Sequence, residues 1–227
     1  MHNTYRYIAS LLVLLCVVAG ATARDTAEAD TTRTVKLWQG MDVETDLVSL
    51  TKGIFSAPAN YRYEALARIN LKNKYYPVIE AGYEKREEQL YSGIDFQGSG
   101  LYYRLGVDFN LIRSVSTQSA SNKFLLGARL GMSDFSYDVR SIPFRDPYTG
   151  MRNTTDLTGL SHTGFWFEIV AGIRIEVFRN VKIGWSVRSK NPLGEQLPGK
   201  VTPYYIPGYG MAGSGVWSFS YMIGYQF

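Results

Sequence analysis

Val216-Trp217-Ser218-Phe219-Ser220-Tyr221-Met222-Ile223-Gly224-Tyr225-Gln226-Phe227 decides how the whole chain is read. In an extended segment, successive side chains point to opposite faces. Trp217, Phe219, Tyr221, Ile223, Tyr225 and Phe227 therefore share one face, and Val216, Ser218, Ser220, Met222, Gly224 and Gln226 share the other. A strand that is aromatic on one side and small or polar on the other suits a barrel wall with lipid outside and a polar lumen inside.

The same sorting recurs upstream. Between Tyr61 and Lys72, Tyr61, Tyr63, Ala65, Ala67, Ile69 and Leu71 oppose Arg62, Glu64, Arg68, Asn70 and Lys72. From Leu101 to Leu111, Leu101, Tyr103, Leu105, Val107, Phe109 and Leu111 oppose Tyr102, Arg104, Gly106, Asp108 and Asn110. From Gly164 to Val177, Phe165, Phe167, Ile169, Ala171, Ile173, Ile175 and Val177 oppose Trp166, Glu168, Gly172, Arg174 and Glu176. Weaker segments at about 36–50, 75–85, 123–136, 181–188 and 215–227 bring the count to about eight, an even number at the small end of membrane barrels. The fold expected over residues 35–227 is all-β, a closed antiparallel transmembrane β-barrel. Connections alternate in length, with outer loops near 51–60, 86–98, 137–161 and 189–213. The inner turns fall near 71–74, 113–122 and 179–180. Long loops outside and short turns inside are the expected asymmetry.

The amino terminus supplies a route to such a membrane. Arg6 is the only charge before an apolar run of roughly 13 residues, short of the ~20 a spanning helix needs, and Ala21-Thr22-Ala23 offers small residues for cleavage. Residues 1–23 read as a removable signal peptide. Residues 24–34 are polar and read as a flexible periplasmic tail. Cleavage would remove Cys16, the only cysteine, and leave His162 as the only histidine, so disulfides, thiol nucleophiles and multi-histidine metal sites are excluded. Taking Arg6 from the 24 basic residues leaves 23 against 20 acidic, a net charge of +3 with no basic cluster. Nucleic acid is not an expected partner.

Asn70-Leu71-Lys72-Asn73-Lys74-Tyr75-Tyr76-Pro77-Val78-Ile79-Glu80, Tyr102-Tyr103-Arg104-Leu105-Gly106-Val107-Asp108-Phe109-Asn110, Gly184-Trp185-Ser186-Val187-Arg188 and Ile206-Pro207-Gly208-Tyr209-Gly210 carry a family likeness. They resemble a domain-of-unknown-function family of small outer-membrane barrel proteins from Bacteroidetes-type Gram-negative bacteria. The resemblance implies the barrel and its membrane, and no residue role. The closing strand also resembles the signal read by the barrel assembly machinery, with aromatics at the end, Phe227, and three from the end, Tyr225. The glycine of that signal would fall at Met222 and stands at Gly224 instead.

With aromatic faces toward lipid, the lumen would receive Asp42, Glu44, Asp46, Arg62, Glu64, Arg68, Glu80, Arg104, Asp108, Arg129, Glu168, Arg174, Glu176 and Arg188. Acidic and basic groups nearly balance, which favours a packed ion-paired interior over a channel in so small a barrel. Loops 137–161 and 189–213 carry Phe144, Tyr148, Tyr204, Tyr205 and Tyr209, rings able to stack on a glycan or a protein surface. These tyrosines could equally form a membrane-interface girdle or plug the mouth. The expected protein is a monomeric structural or surface-interaction barrel of the cell outer membrane, bounded by outer-membrane lipid, and not an enzyme. It has no cofactor, no metal and no catalytic residues. One alternative is a lipid-modifying enzyme centred on His162, beside Ser161. Glu168 lies six residues along the strand, roughly 20 Å away at ~3.3 Å per residue, and cannot reach it. Another alternative is a soluble lipocalin-like calyx, which requires Arg62, Arg104 and Arg174 outside and the aromatics within.

Overall fold

The computed structural model describes residues 36–49, 60–112, 122–148, 150–194 and 202–227. The expected signal peptide, the tail, and most of the 51–60 and 113–122 connections lie outside these residues. Among the described residues there are ten strands: β1 (Trp38–Asp46), β2 (Tyr61–Leu71), β3 (Tyr75–Gln89), β4 (Asp95–Asn110), β5 (Lys123–Arg145), β6 (Arg152–Phe178), β7 (Val181–Leu193), β8 (Tyr205–Ile206), β9 (Gly210–Met211) and β10 (Val216–Gln226). Eight of them form one closed antiparallel ring in the order β1-β10-β7-β6-β5-β4-β3-β2, and β8 and β9 pair separately as a small hairpin. Among the described residues no helix is long and apolar enough to cross a membrane.

Closure runs through the two ends of the sheet. Asp42 pairs with Gln226 and Asp46 with Met222 on one side of β1, while Met41 pairs with Ile69 and Thr45 with Ala65 on the other. The ring extends past its last paired strand residue, because the Phe227 amide donates to Met41 O at 2.8 Å. Closure leaves no edge along the ring, so the wall satisfies its own backbone without water.

Side-chain parity follows the sequence. Leu105, Leu130, Ile79, Phe165, Phe219 and Trp217 point outward and are exposed. Arg68, Arg104, Arg129, Arg174 and Arg188 point inward and are buried. An apolar-ligand calyx needs the opposite arrangement. In water, this outer surface would be an apolar patch far larger than soluble monomers carry.

The strands outrun their expected bounds at the end with the long connections. The 86–98 loop shrinks to residues 90–94, and the Leu90 amide donates to Ile94 O at 2.8 Å. Residues 137–161 are not an open loop. They are mostly a ribbon, in which β5 and β6 stay paired from Tyr137↔Leu160 through Ile142↔Thr155 to Arg145↔Arg152, with irregularities on either side of Val139. Past Ile142 both faces of this ribbon meet water. Hydrophobic alternation vanishes there, and with it the sequence signal for a strand.

Candidate functional site

The lumen is a stack of ion pairs with aromatic residues above it. Near the short-turn end, Asp42 accepts from Lys123 Nζ at 3.0 Å and Lys182 Nζ at 2.9 Å, and the same Lys123 ammonium lies 4.7 Å from the centre of the Tyr76 ring. One layer up, Glu44 pairs with Arg68 and with Arg174 at 2.8 Å. Asp108 takes Arg68 at 3.1 Å and Arg129 at 2.6 Å. Glu80 is the hub, receiving Arg104 at 2.8 Å, Arg129 at 2.9 Å and Arg188 at 2.6 Å. Above it, Glu64 accepts from Arg104 at 2.9 Å and from the Tyr102 hydroxyl at 2.7 Å. Glu168 accepts from the Trp166 indole at 2.6 Å and lies 2.9 Å from Arg104 Nε.

These groups come from facing strands because each sits at an inward position of its own strand. Paired charges offset one another's cost of leaving water only when their remaining lone pairs and protons are also satisfied. The stack meets most of that demand by sharing each carboxylate among several cations. A void lined by Leu66, Arg68, Asp108, Arg129, Arg174 and Arg188 measures about 10 Å³, the space of a single water. The large rings fit because glycines face them. A Cβ on Gly131 would run into the Trp166 indole, and one on Gly82 into the Tyr102 ring.

At the long-loop end the β8–β9 hairpin folds back into the mouth. The Tyr209 amide donates to Ile206 O at 3.1 Å, and Gly208 has φ +76°, which with Pro207 before it makes a type II turn. Gly208 O accepts from Arg104 Nη2 at 2.8 Å and Lys190 Nζ at 2.7 Å. On the opposite side Glu84 accepts the Gly208 amide at 2.8 Å and the Tyr205 hydroxyl at 2.7 Å. Burial pushes the Tyr205 phenol up, and the neighbouring Glu84 carboxylate adds to the shift, so Tyr205 remains a proton donor at ordinary pH. Tyr209 rests 5.8 Å from Trp166, ring centre to ring centre.

The residues expected to line the lumen fall into two groups. Asp42, Glu44, Asp46, Glu64, Arg68, Glu80, Arg104, Asp108, Arg129, Glu168, Arg174 and Arg188 are all buried in the barrel. Arg62 is partly exposed at the mouth, bonded to Asp46 at 2.9 Å and to Ser49. Glu176 does not join the stack. It lies at the short-turn rim, half-buried, and accepts the Asn180 amide of the adjoining turn at 3.4 Å. Of the ring-bearing loop residues, Tyr148 and Phe144 are exposed on the β5–β6 ribbon. Tyr204 packs edge-on against Phe96 at 5.8 Å, and Tyr205 and Tyr209 are held inside the mouth. Tyr209 is 2% exposed, so its ring is not offered to a ligand outside.

Of the carboxylates that could orient His162, Asp134, Asp156 and Glu168 each have partners of their own. His162 packs edge-on against Phe135 at 5.7 Å. Asp134 pairs with Thr163, one position along β6 and therefore on the other face of the sheet, and Asp156 accepts the Ser141 amide at 2.9 Å. Glu168 is committed to Trp166, Arg104 and Arg188.

Lys190, Tyr102, Trp166 and Gly208 complete the mouth and were not singled out by their sequence. Lys190 shares the inward parity of Ser186 and Arg188, but it stood within a segment read as loop. Pro207-Gly208 lay within the stretch read as an outer loop, and its docking depends on side chains from β3, β4, β6 and β7.

The fold resembles the crystal structure of Ail, the attachment invasion locus protein of Yersinia pestis, in complex with the heparin analogue sucrose octasulfate. The TM-score is 0.39 and the identity 11%, over 83% of this chain and 94% of that one. No curated protein matches the sequence. A family model described as Domain of unknown function (DUF6048) matches residues 4–227, nearly the full length, and the chain belongs to that family.

Proposed function

We propose that this chain is a monomeric, non-conducting barrel of the cell outer membrane that acts as a surface-interaction protein. Its contact surface is the end bearing the β5–β6 ribbon, within residues 137–161, and the part of the 189–213 stretch that follows β7. One observation carries the reading: an apolar exterior encloses a lumen of buried, mutually paired charges. Only a bilayer accepts such an exterior, and a closed ring of strands is one of the two backbone solutions that can cross it. The signal peptide of residues 1–23 delivers the chain to the periplasm. β10, ending at Phe227, is the strand that the barrel assembly machinery takes up, leaving the short turns in the periplasm and the long connections outside.

No residue is assigned a catalytic role, and His162 belongs to the wall of the mouth. Tyr148 is 96% exposed at the tip of the ribbon, and Met151 and Phe144 lie nearby and exposed, so a glycan or protein ligand would meet rings held on a stiff β-support.

The test is membrane fractionation, combined with gel mobility of the detergent-solubilised protein before and after boiling. An outer-membrane protein with a heat-shifted band is expected. A soluble periplasmic protein with unshifted mobility would remove the reading. A cysteine introduced at Tyr148 should be labelled on intact cells by an impermeant maleimide, and failure to label would reverse the assigned orientation.

A further inference from the structure

Lys190 differs from every other buried cation in the barrel. Among the described residues, each remaining buried lysine or arginine lies within ion-pair distance of a carboxylate. Lys190, 3% exposed, instead donates to two main-chain oxygens of the hairpin, Gly208 O at 2.7 Å and Tyr209 O at 3.2 Å. Arg104 reaches the same Gly208 oxygen at 2.8 Å. A buried amine and a guanidinium already paired with Glu64, Glu80 and Glu168 thus converge on one uncharged acceptor. Hydrogen bonds of this kind are stronger when the acceptor is also charged, so an anionic oxygen would fit this point better than the carbonyl does. Trp166 and Tyr102 form the floor, and Tyr102 lies so close that the occupant has no side chain.

The hairpin that fills this place is a modest element. It has two strand pairs, Tyr205↔Met211 and Ile206↔Gly210, and an isolated hairpin of that size has little stability of its own. Its position depends on the contacts made by its turn together with Tyr204, Tyr205 and Ile206 packed against Phe96, Phe135 and Tyr137. The geometry points to an oxyanion-binding cup at the outer mouth, built by Lys190 and Arg104 over Trp166 and Tyr102, in which the Pro207–Gly208 turn stands in for a carboxylate, sulfate or phosphate group of an external ligand. Binding exchanges the turn for the ligand and carries the hairpin outward. This names a ligand chemistry for the proposed contact surface and rests on that end facing outward. Binding to the purified protein is independent of orientation, so the two ideas fail separately.

Gly208→Ala vacates the cup. The alanine Cβ would lie 2.5 Å from Tyr102 Cγ, at a backbone φ of +76° that L side chains resist. Calorimetric titration of the refolded barrel in detergent, with sulfate and with citrate against sodium chloride of equal ionic strength, reads occupancy. At least one oxyanion should bind Gly208→Ala roughly tenfold or more tightly than the wild type, because the competing turn is gone. Adding Lys190→Met should abolish the gain. Sulfate alone would indicate sulfate or phosphate esters as the ligand class, and citrate alone would indicate carboxylates. Equal binding by wild type and Gly208→Ala, or a gain that survives Lys190→Met, overturns the proposal.

A second measurement keeps it testable if Gly208→Ala does not fold. A Cβ at Gly164 would lie 3.2 Å from Ile206 Cγ2, so Gly164→Cys with Ile206→Cys, in a Cys16→Ser background, can join the hairpin to β6. Sulfate or citrate should slow formation of that disulfide severalfold by displacing the hairpin. A rate unchanged by both anions counts against the exchange.

Discussion

Glu80 shows what one residue contributes in a lumen of this kind. It is fully buried and receives guanidinium groups from β4, β5 and β7. Removing a single charge from a buried pair commonly costs about 3–5 kcal/mol, because the partner is left uncompensated in a low-dielectric interior. Glu80→Gln leaves three such partners. It is expected to destabilise the barrel by at least that amount, measured as the shift of the urea unfolding midpoint in detergent. Glu176→Gln is the matched control, since Glu176 is half-buried at the rim and contacts a turn amide rather than the stack. Its effect should stay within about 0.5 kcal/mol, as for surface positions generally. A Glu80→Gln midpoint equal to that of Glu176→Gln would mean that the lumenal pairs add nothing to stability.

At the level of elements, the β5–β6 ribbon pairs with β4 as far as Arg140 and beyond that is held by bonds between its own two strands. The Asp138 carboxylate accepts the Gly159 amide at 2.8 Å and pairs with Arg140 at 2.9 Å, and the amide bond, followed by Arg140, holds its pKa below the usual aspartate value. A carboxyl group depressed on folding stabilises fully above its unfolded pKa, about 3.9 for aspartate. That contribution is lost as the pH falls through the lower folded value. The Gly159 amide resonance should therefore titrate with a midpoint below that of an ordinary aspartate, and a midpoint at or above it would show that the Asp138 bond does not persist. The ribbon also marks the limit of what the sequence makes legible. Tyr103, Leu105 and Val107 against Arg104, Gly106 and Asp108 declared their faces because one side is apolar and exposed and the other holds ion pairs. Thr154, Thr155, Asp156 and Thr158 meet water on both sides, so nothing distinguishes ribbon from loop there. The hairpin at Pro207-Gly208 has residues suited to a turn but was read only as part of an outer loop. Its burial was not legible, since Lys190, Arg104 and Glu84 come together only through the barrel.

For the whole molecule, eight strands enclose an interior that side chains can fill. Planar bilayers containing the purified protein should show no stepwise conductance, and Gly208→Ala should show none either, because Glu80 and its arginines lie below the hairpin and still block the axis. Regular ion-sized current steps in the wild type would contradict the packed lumen. The seam between β1 and β10 carries a further consequence, for the order of folding. Asp42 meets Gln226, 184 positions away along the chain, and the Lys182–Asp42 and Arg174–Glu44 bonds span 140 and 130 positions. Contacts so distant in sequence form late, since the cost of closing the intervening chain precedes any return from it. The carboxylates of β1 must stay hydrated until the final strand arrives, and then lose their water together with their partners' in one concerted step. Assembly is therefore expected to proceed from a wet, open, β-rich intermediate to the dry barrel without a half-paired lumen between them.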